Sequence, residues 1–202
     1  MASQVQLANY ALGLVAEHRI LALTDLSEPA RLCTLHLDQT VREVLRAGLF
    51  RCARKRAVIT PDAVAPAFEW TYAYSLPSDW LRVVKFNETE PQDVVDYLFE
   101  IEGKKLLTDE STCNLVYIYD VTTQLGGAGY NQLDELCTRA VYTLLASKLA
   151  VPLRGGGASE LKNVLLGEAE RLISKASAIN ARDAFEPLKS VAANSDWLTA
   201  RQ

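Results

Sequence analysis

A chain of 202 residues that is 49% hydrophobic can bury a substantial core, enough for one domain or for one domain with a second inserted into it. The formal net charge of -4, with 23% charged residues, excludes a surface dominated by phosphate-gripping cations. No run reaches the roughly 20 apolar residues of a membrane span, because Thr143, Ser147 and Lys148 interrupt Ala140 to Leu153. Met1-Ala2-Ser3-Gln4 lacks the basic start and apolar core of a signal peptide, so synthesis in the cytosol without signal-peptide export is expected.

In chain order, Ala8, Ala11, Leu12 and Val15 share one face of a first predicted helix, about 3–22. The loop Thr24-Asp25-Leu26-Ser27 follows. Ser27 is a good N-cap and Pro29 suits the first turn, where its missing N–H costs nothing. The stripe Leu37, Val41, Val44, Leu45, Gly48 and Cys52 predicts that this second helix runs to about Arg56. Its end would carry Arg51, Arg54, Lys55 and Arg56, cations that suit a helix C-terminus or contact an acidic neighbour or DNA.

After Pro61 the pattern changes to strands. Phe68 to Tyr74 alternates and is aromatic, and Leu81 to Phe86 is apolar and β-branched. Gly103 supplies a hairpin turn between Val94–Glu102 and Lys104–Thr108, and Leu115 to Val121 closes the set. About five strands are expected, in a small antiparallel sheet or partly closed barrel. Gly126-Gly127-Ala128-Gly129 ends this region.

A third helix is predicted over about 131–150, with Leu133, Leu136, Cys137, Ala140, Val141, Leu144 and Leu145 on one face. Pro152 and Gly155-Gly156-Gly157 are expected to break it. A fourth runs from about Ser159 to Arg182, with Leu161, Leu165, Leu172, Ala176 and Ile179 inward. The fold class expected is therefore α+β: a bundle of about four helices (1–60 and 126–185) carrying an inserted antiparallel β domain (61–125). Residues 186–202 read as an extended tail, with Trp197 and Leu198 either frayed or ordering on a partner.

The chain offers little for catalysis. His18 and His36 are far apart and lack metal-ligand spacing, Cys33, Cys52, Cys113 and Cys137 form no C-x-x-C pair, and no G-x-S-x-G elbow occurs. No metal, cofactor or nucleophile is expected, and the cysteines are read as buried free thiols. Both glycine runs lack the Gly-Lys-Ser/Thr ending of a phosphate loop and read as joints. Glu69, Glu100, Glu102, Asp109 and Glu110 lie in the strand region; two of them side by side would suit glycoside cleavage, whereas dispersed they form a solvated face.

Several segments resemble, in order, one family. These are Asp25-Leu26-Ser27-Glu28-Pro29-Ala30-Arg31, Ala53-Arg54-Lys55-Arg56-Ala57, and Tyr72-Ala73-Tyr74-Ser75-Leu76-Pro77-Ser78-Asp79-Trp80-Leu81-Arg82-Val83. Glu100 to Asp109, Ala150-Val151-Pro152-Leu153 and Asp196-Trp197-Leu198-Thr199-Ala200-Arg201 complete the set. Together they are similar to the tail tubular protein A family, the head-to-tail adaptors of short-tailed bacteriophages. Leu49-Phe50-Arg51-Cys52 stands where that family often has a tryptophan-containing segment, and Phe50 suits the same core volume.

The resemblance implies a non-enzymatic virion subunit that forms a homo-oligomeric, dodecameric ring beneath the portal protein. Helices would line the channel through which genomic DNA passes without specific binding. The β domain would meet nozzle and fibre proteins, and Trp197, Leu198 and Arg201 of the tail would hold the portal. Arg51, Arg54, Lys55 and Arg56 would face a neighbouring subunit or the channel. A cell-wall hydrolase acting during DNA entry is the alternative, and a DNA-binding regulator built on the Arg51–Arg56 cluster is a third reading, which the acidic balance disfavours.

Overall fold

The computed structural model describes residues 3–87 and 99–182. It is an α+β chain. Helices α1 (Gln4–Leu14) and α2 (Glu28–Ala47) come first. Six strands follow: β1 (Arg54–Ile59), β2 (Tyr72–Ser75), β3 (Trp80–Phe86), β4 (Glu100–Glu102), β5 (Lys105–Thr108) and β6 (Cys113–Tyr119). Helices α3 (Glu135–Arg154) and α4 (Ser159–Arg182) come last.

Helix α3 is the hub, in contact with α1, α2 and α4. Asp134 caps its start by accepting from the Cys137 N–H at 2.7 Å. Half its residues are buried, among them Val141, Leu145 and Leu149 at 0% exposure. By length and composition α3 is apolar enough to cross a membrane, contrary to the expectation from sequence, and its packing against three helices accounts for that character. Lys148 and Glu43 tie α3 to α2 at 2.6 Å, and Arg154 donates to the Val15 carbonyl at 2.9 Å.

Several sequence expectations are corrected. Helix α1 stops at Leu14 rather than near residue 22. Ala16 adopts a left-handed φ of 57°, while the Glu17 N–H returns to the Leu12 carbonyl and the Ala16 N–H to Gly13, which is a Schellman ending. Helix α2 stops at Ala47, not Arg56. Gly48 is extended, and its missing Cβ leaves room for the Phe50 ring, which would otherwise lie 2.3 Å from that atom. Phe50 is fully buried, worth about 1.5–3 kcal/mol of apolar transfer.

Helix α3 starts at Glu135, after a 3-10 stretch in which Gly126 and Gly127 have positive φ, and it runs through Pro152 to Arg154. Proline removes one N–H and crowds the carbonyl four residues back, but within the last turn only a residual segment depends on that bond. Finally, the strands form two three-stranded antiparallel sheets rather than one sheet or a barrel: β1-β6-β3 and β2-β5-β4. Glu69, with φ of 66°, ends the expected aromatic strand before it begins at Tyr72. The Gly103 turn between β4 and β5 is as expected, with φ of 60°. Helix α4 matches its predicted bounds.

One cluster of buried side chains runs from the helices into the sheets, joining Leu7, Leu45 and Leu145 to Ile118, Tyr74 and Leu106. Strand β6 is central in the first sheet, and β1 and β3 are its edges. Of the expected strand Val94–Glu102, residues 94–98 lie outside the described residues, as does the tail 186–202.

Candidate functional site

The basic segment Arg51 to Arg56 does not end a helix. Arg51 opens a 3-10 turn, and Arg54, Lys55 and Arg56 begin the edge strand β1. The account that seats all four cations at the C-terminus of α2 therefore fails, because α2 ends at Ala47; Arg51 instead meets the last turn of α4. The cluster is also divided in space. The Arg51 N–H donates to Asn180 Oδ1 at 3.0 Å and its Nε to the Asn180 carbonyl at 2.9 Å, fastening the start of the sheet to α4.

Lys55 Nζ lies 2.5 Å from Asp79 Oδ2 and 4.0 Å from the centre of the Tyr119 ring. Asp79 also accepts from the Tyr117 hydroxyl at 3.1 Å. Arg56 is exposed and makes no ion pair among the described residues. Two of the four cations thus serve internal joints, and Arg56 is the one turned to solvent. Trp197, Leu198 and Arg201 lie outside the described residues.

The five carboxylates singled out from sequence are all exposed. Two approach the same short segment: Glu100 Oε2 accepts from the Trp70 indole N–H at 3.4 Å, and Asp109 Oδ1 accepts from the Thr71 N–H and hydroxyl at 2.9 and 2.8 Å. Glu69 immediately precedes them. Glu102 ends β4, and Glu110 lies in the connection between β5 and β6. Among the described residues no three His, Cys, Asp or Glu side chains gather to hold a metal ion. His36 is half-buried on α2, whereas His18 lies in a loop rather than on the helix expected.

The four cysteines carry free thiols; Cys33, Cys113 and Cys137 are buried and Cys52 is half-buried. Burial pushes the Cys33 and Cys113 thiols up to about 11. Cys52 and Cys137 share a hydrogen bond that lowers Cys52 and, with burial, raises Cys137 well above the usual thiol range.

Two surface features were not legible in the sequence. The first is a groove of about 390 Å³ between the end of α2 and the edge strands β3 and β4, lined by Leu49, Trp80, Leu81, Phe99 and Ile101 with Arg46, Arg54 and Arg82. None of the five carboxylates lines it. The second is the α1–α2 connection, which holds Leu21 at 93% and Leu26 at 87% exposure.

That connection is fixed by side-chain bonds. Asn9 both donates to the Ile20 carbonyl (3.0 Å) and accepts its N–H (2.8 Å). Asp25 Oδ2 accepts the N–H groups of Leu21 and Ala22 at 2.9 and 3.1 Å. The Thr34 hydroxyl donates to the Leu23 carbonyl at 3.0 Å. Asp25 reads from sequence only as a loop residue, and Thr34 falls unmarked within the second predicted helix; their bonding needs the loop's shape to be seen.

No family model matches the chain, and no curated protein matches it.

Proposed function

We propose that the protein is a structural head-to-tail adaptor of a short-tailed phage virion, a subunit of a twelve-copy ring that docks beneath the portal. The observation that carries this reading is the ordered series of segments similar to the tail tubular protein A family. Those among the described residues fall in the following elements. Asp25–Arg31 is the entry to α2, Ala53–Ala57 starts β1, Tyr72–Val83 covers β2 and the first half of β3, Glu100–Asp109 is the β4–β5 hairpin, and Ala150–Leu153 lies in the last turns of α3. The acidic net charge suits a channel past which DNA slides.

In this reading the four helices form the ring body and the channel wall. The two sheets are the surface for nozzle and fibre proteins, and the tail, with Trp197, Leu198 and Arg201, grips the portal. Arg56 is the cation best placed to face a neighbour or the channel. The test is electron microscopy of the chain mixed with the purified portal protein of the same virus. A ring on the portal axis is expected, lost when residues 187–202 are deleted while the helical circular dichroism persists. Absence of any ring with the intact chain overturns the adaptor reading; a ring that survives the deletion overturns the tail anchor.

A cell-wall hydrolase is the second reading, favoured by Glu100 and Asp109 both bonding to the segment 70–71. It requires that the purified chain clear peptidoglycan and that Glu100→Gln abolish clearing.

A further inference from the structure

We infer that copies of this chain join head to tail, the Leu21–Leu26 loop of one seating in the apolar, arginine-rimmed groove between β3 and β4 of the next. The inference rests on the ring reading above and names its two contacting faces. The loop is a built protrusion rather than a slack connection. Side-chain bonds from Asn9, Asp25 and Thr34 fix its backbone and leave Leu21 and Leu26 almost fully in water. Two leucines exposed on one fixed loop gather apolar surface with no intrachain gain, the kind of surface a partner covers.

The groove has matching chemistry. Leu49, Trp80, Leu81, Phe99 and Ile101 supply apolar lining, and Arg46, Arg54 and Arg82 line it beside them. The loop brings the opposite charge: Asp25 lies between the two leucines in sequence and Glu28 follows at the start of α2. Neither Glu28 nor Arg46 forms an ion pair among the described residues.

The two features sit at opposite ends of α2, a helix of 20 residues and so ~30 Å long. A chain cannot fill its own groove with its own loop across that distance. The partner must be another molecule, and a second copy supplies the complementary loop. Contact between two different faces of identical subunits is heterologous, and it gives a ring when the rotation closes.

The experiment uses two full-length variants, one with the loop blunted (Leu21→Ser with Leu26→Ser) and one with the groove rim reversed (Arg46→Glu with Arg82→Glu). Circular dichroism verifies that each is folded. Sedimentation over a concentration series should show wild-type association, and each variant alone should remain a monomer. The two mixed should form a one-to-one dimer and go no further, because only one intact loop and one intact groove remain. A loop variant that associates like wild type overturns the pairing, and so does a mixture that stays monomeric or a wild type that is monomeric throughout. The adaptor reading is judged separately: a loop variant that still forms rings on the portal sinks the pairing alone, whereas failure of the wild type to form them sinks the adaptor.

Discussion

Asn180 shows how much one buried amide can hold. It accepts the Arg51 N–H, donates to the Ala176 carbonyl at 2.9 Å, and is only 6% exposed. Replacing it by alanine strands the Arg51 N–H, and an unsatisfied buried donor costs about 1–3 kcal/mol. Asn180→Ala is therefore expected to lower the denaturant midpoint without changing the slope, measurable by urea titration. The thiols make a second prediction. At pH 8 iodoacetamide should label Cys52 first, since its thiol is lowered, while Cys33 and Cys113 are held up to about 11 by burial. Peptide mapping of the alkylated protein checks the order; faster labelling at Cys33 would contradict it. Local spacing does not rank these thiols, because the pairing of Cys52 with Cys137 spans the whole strand region.

At the level of elements, the helices were legible and the start of the sheet was not. Val41, Val44, Leu45, Gly48 and Cys52 keep a helical period straight through the true end of α2. The break is made by Gly48, whose extended backbone and missing side chain admit the Phe50 ring. That is a packing relation between residues two apart, invisible to periodicity. Gly48→Ala should displace the ring and cost about 1–3 kcal/mol as overpacking. Pairing it with Phe50→Leu should recover part of that loss, and a double-mutant cycle on thermal midpoints measures the coupling. Additive effects would mean the ring does not depend on the glycine. The partition of the basic segment was hidden for a related reason. Arg51 meets Asn180 from 129 residues away, and Lys55 meets Asp79 from 24, so neither joint leaves a trace in local spacing.

Across the whole molecule, the buried tyrosines link stability to alkaline pH. Burial, then the hydrogen bond and charge of Asp79, push Tyr117 up to about 12, and burial also raises Tyr74, Tyr119 and Tyr130. A tyrosine near 10 in the unfolded chain and higher in the folded one favours folding while it stays protonated. That contribution is complete below pH 10 and is lost as pH rises from about 10 through 12. Tyrosinate absorbance and loss of helical dichroism are expected to rise together in that window; tyrosines that all titrate near 10 with the fold intact would refute the linkage. The general architecture of helices flanking strands was readable because four amphipathic stripes and a run of β-branched residues dominate the composition locally. The split into two sheets was not, since strand partners are chosen by tertiary packing rather than by neighbours in sequence.

The place of α3 as hub has a consequence for how the chain is made. Helices α1 and α2 emerge first, yet the helix that covers their apolar faces ends at Arg154, about a hundred residues after Ala47. At ~5–20 residues per second, translation leaves those faces uncovered for roughly 5–20 s. The nascent amino-terminal half is open to aggregation through that interval, and slowing synthesis within the strand region should lower the soluble yield more than slowing it after α3.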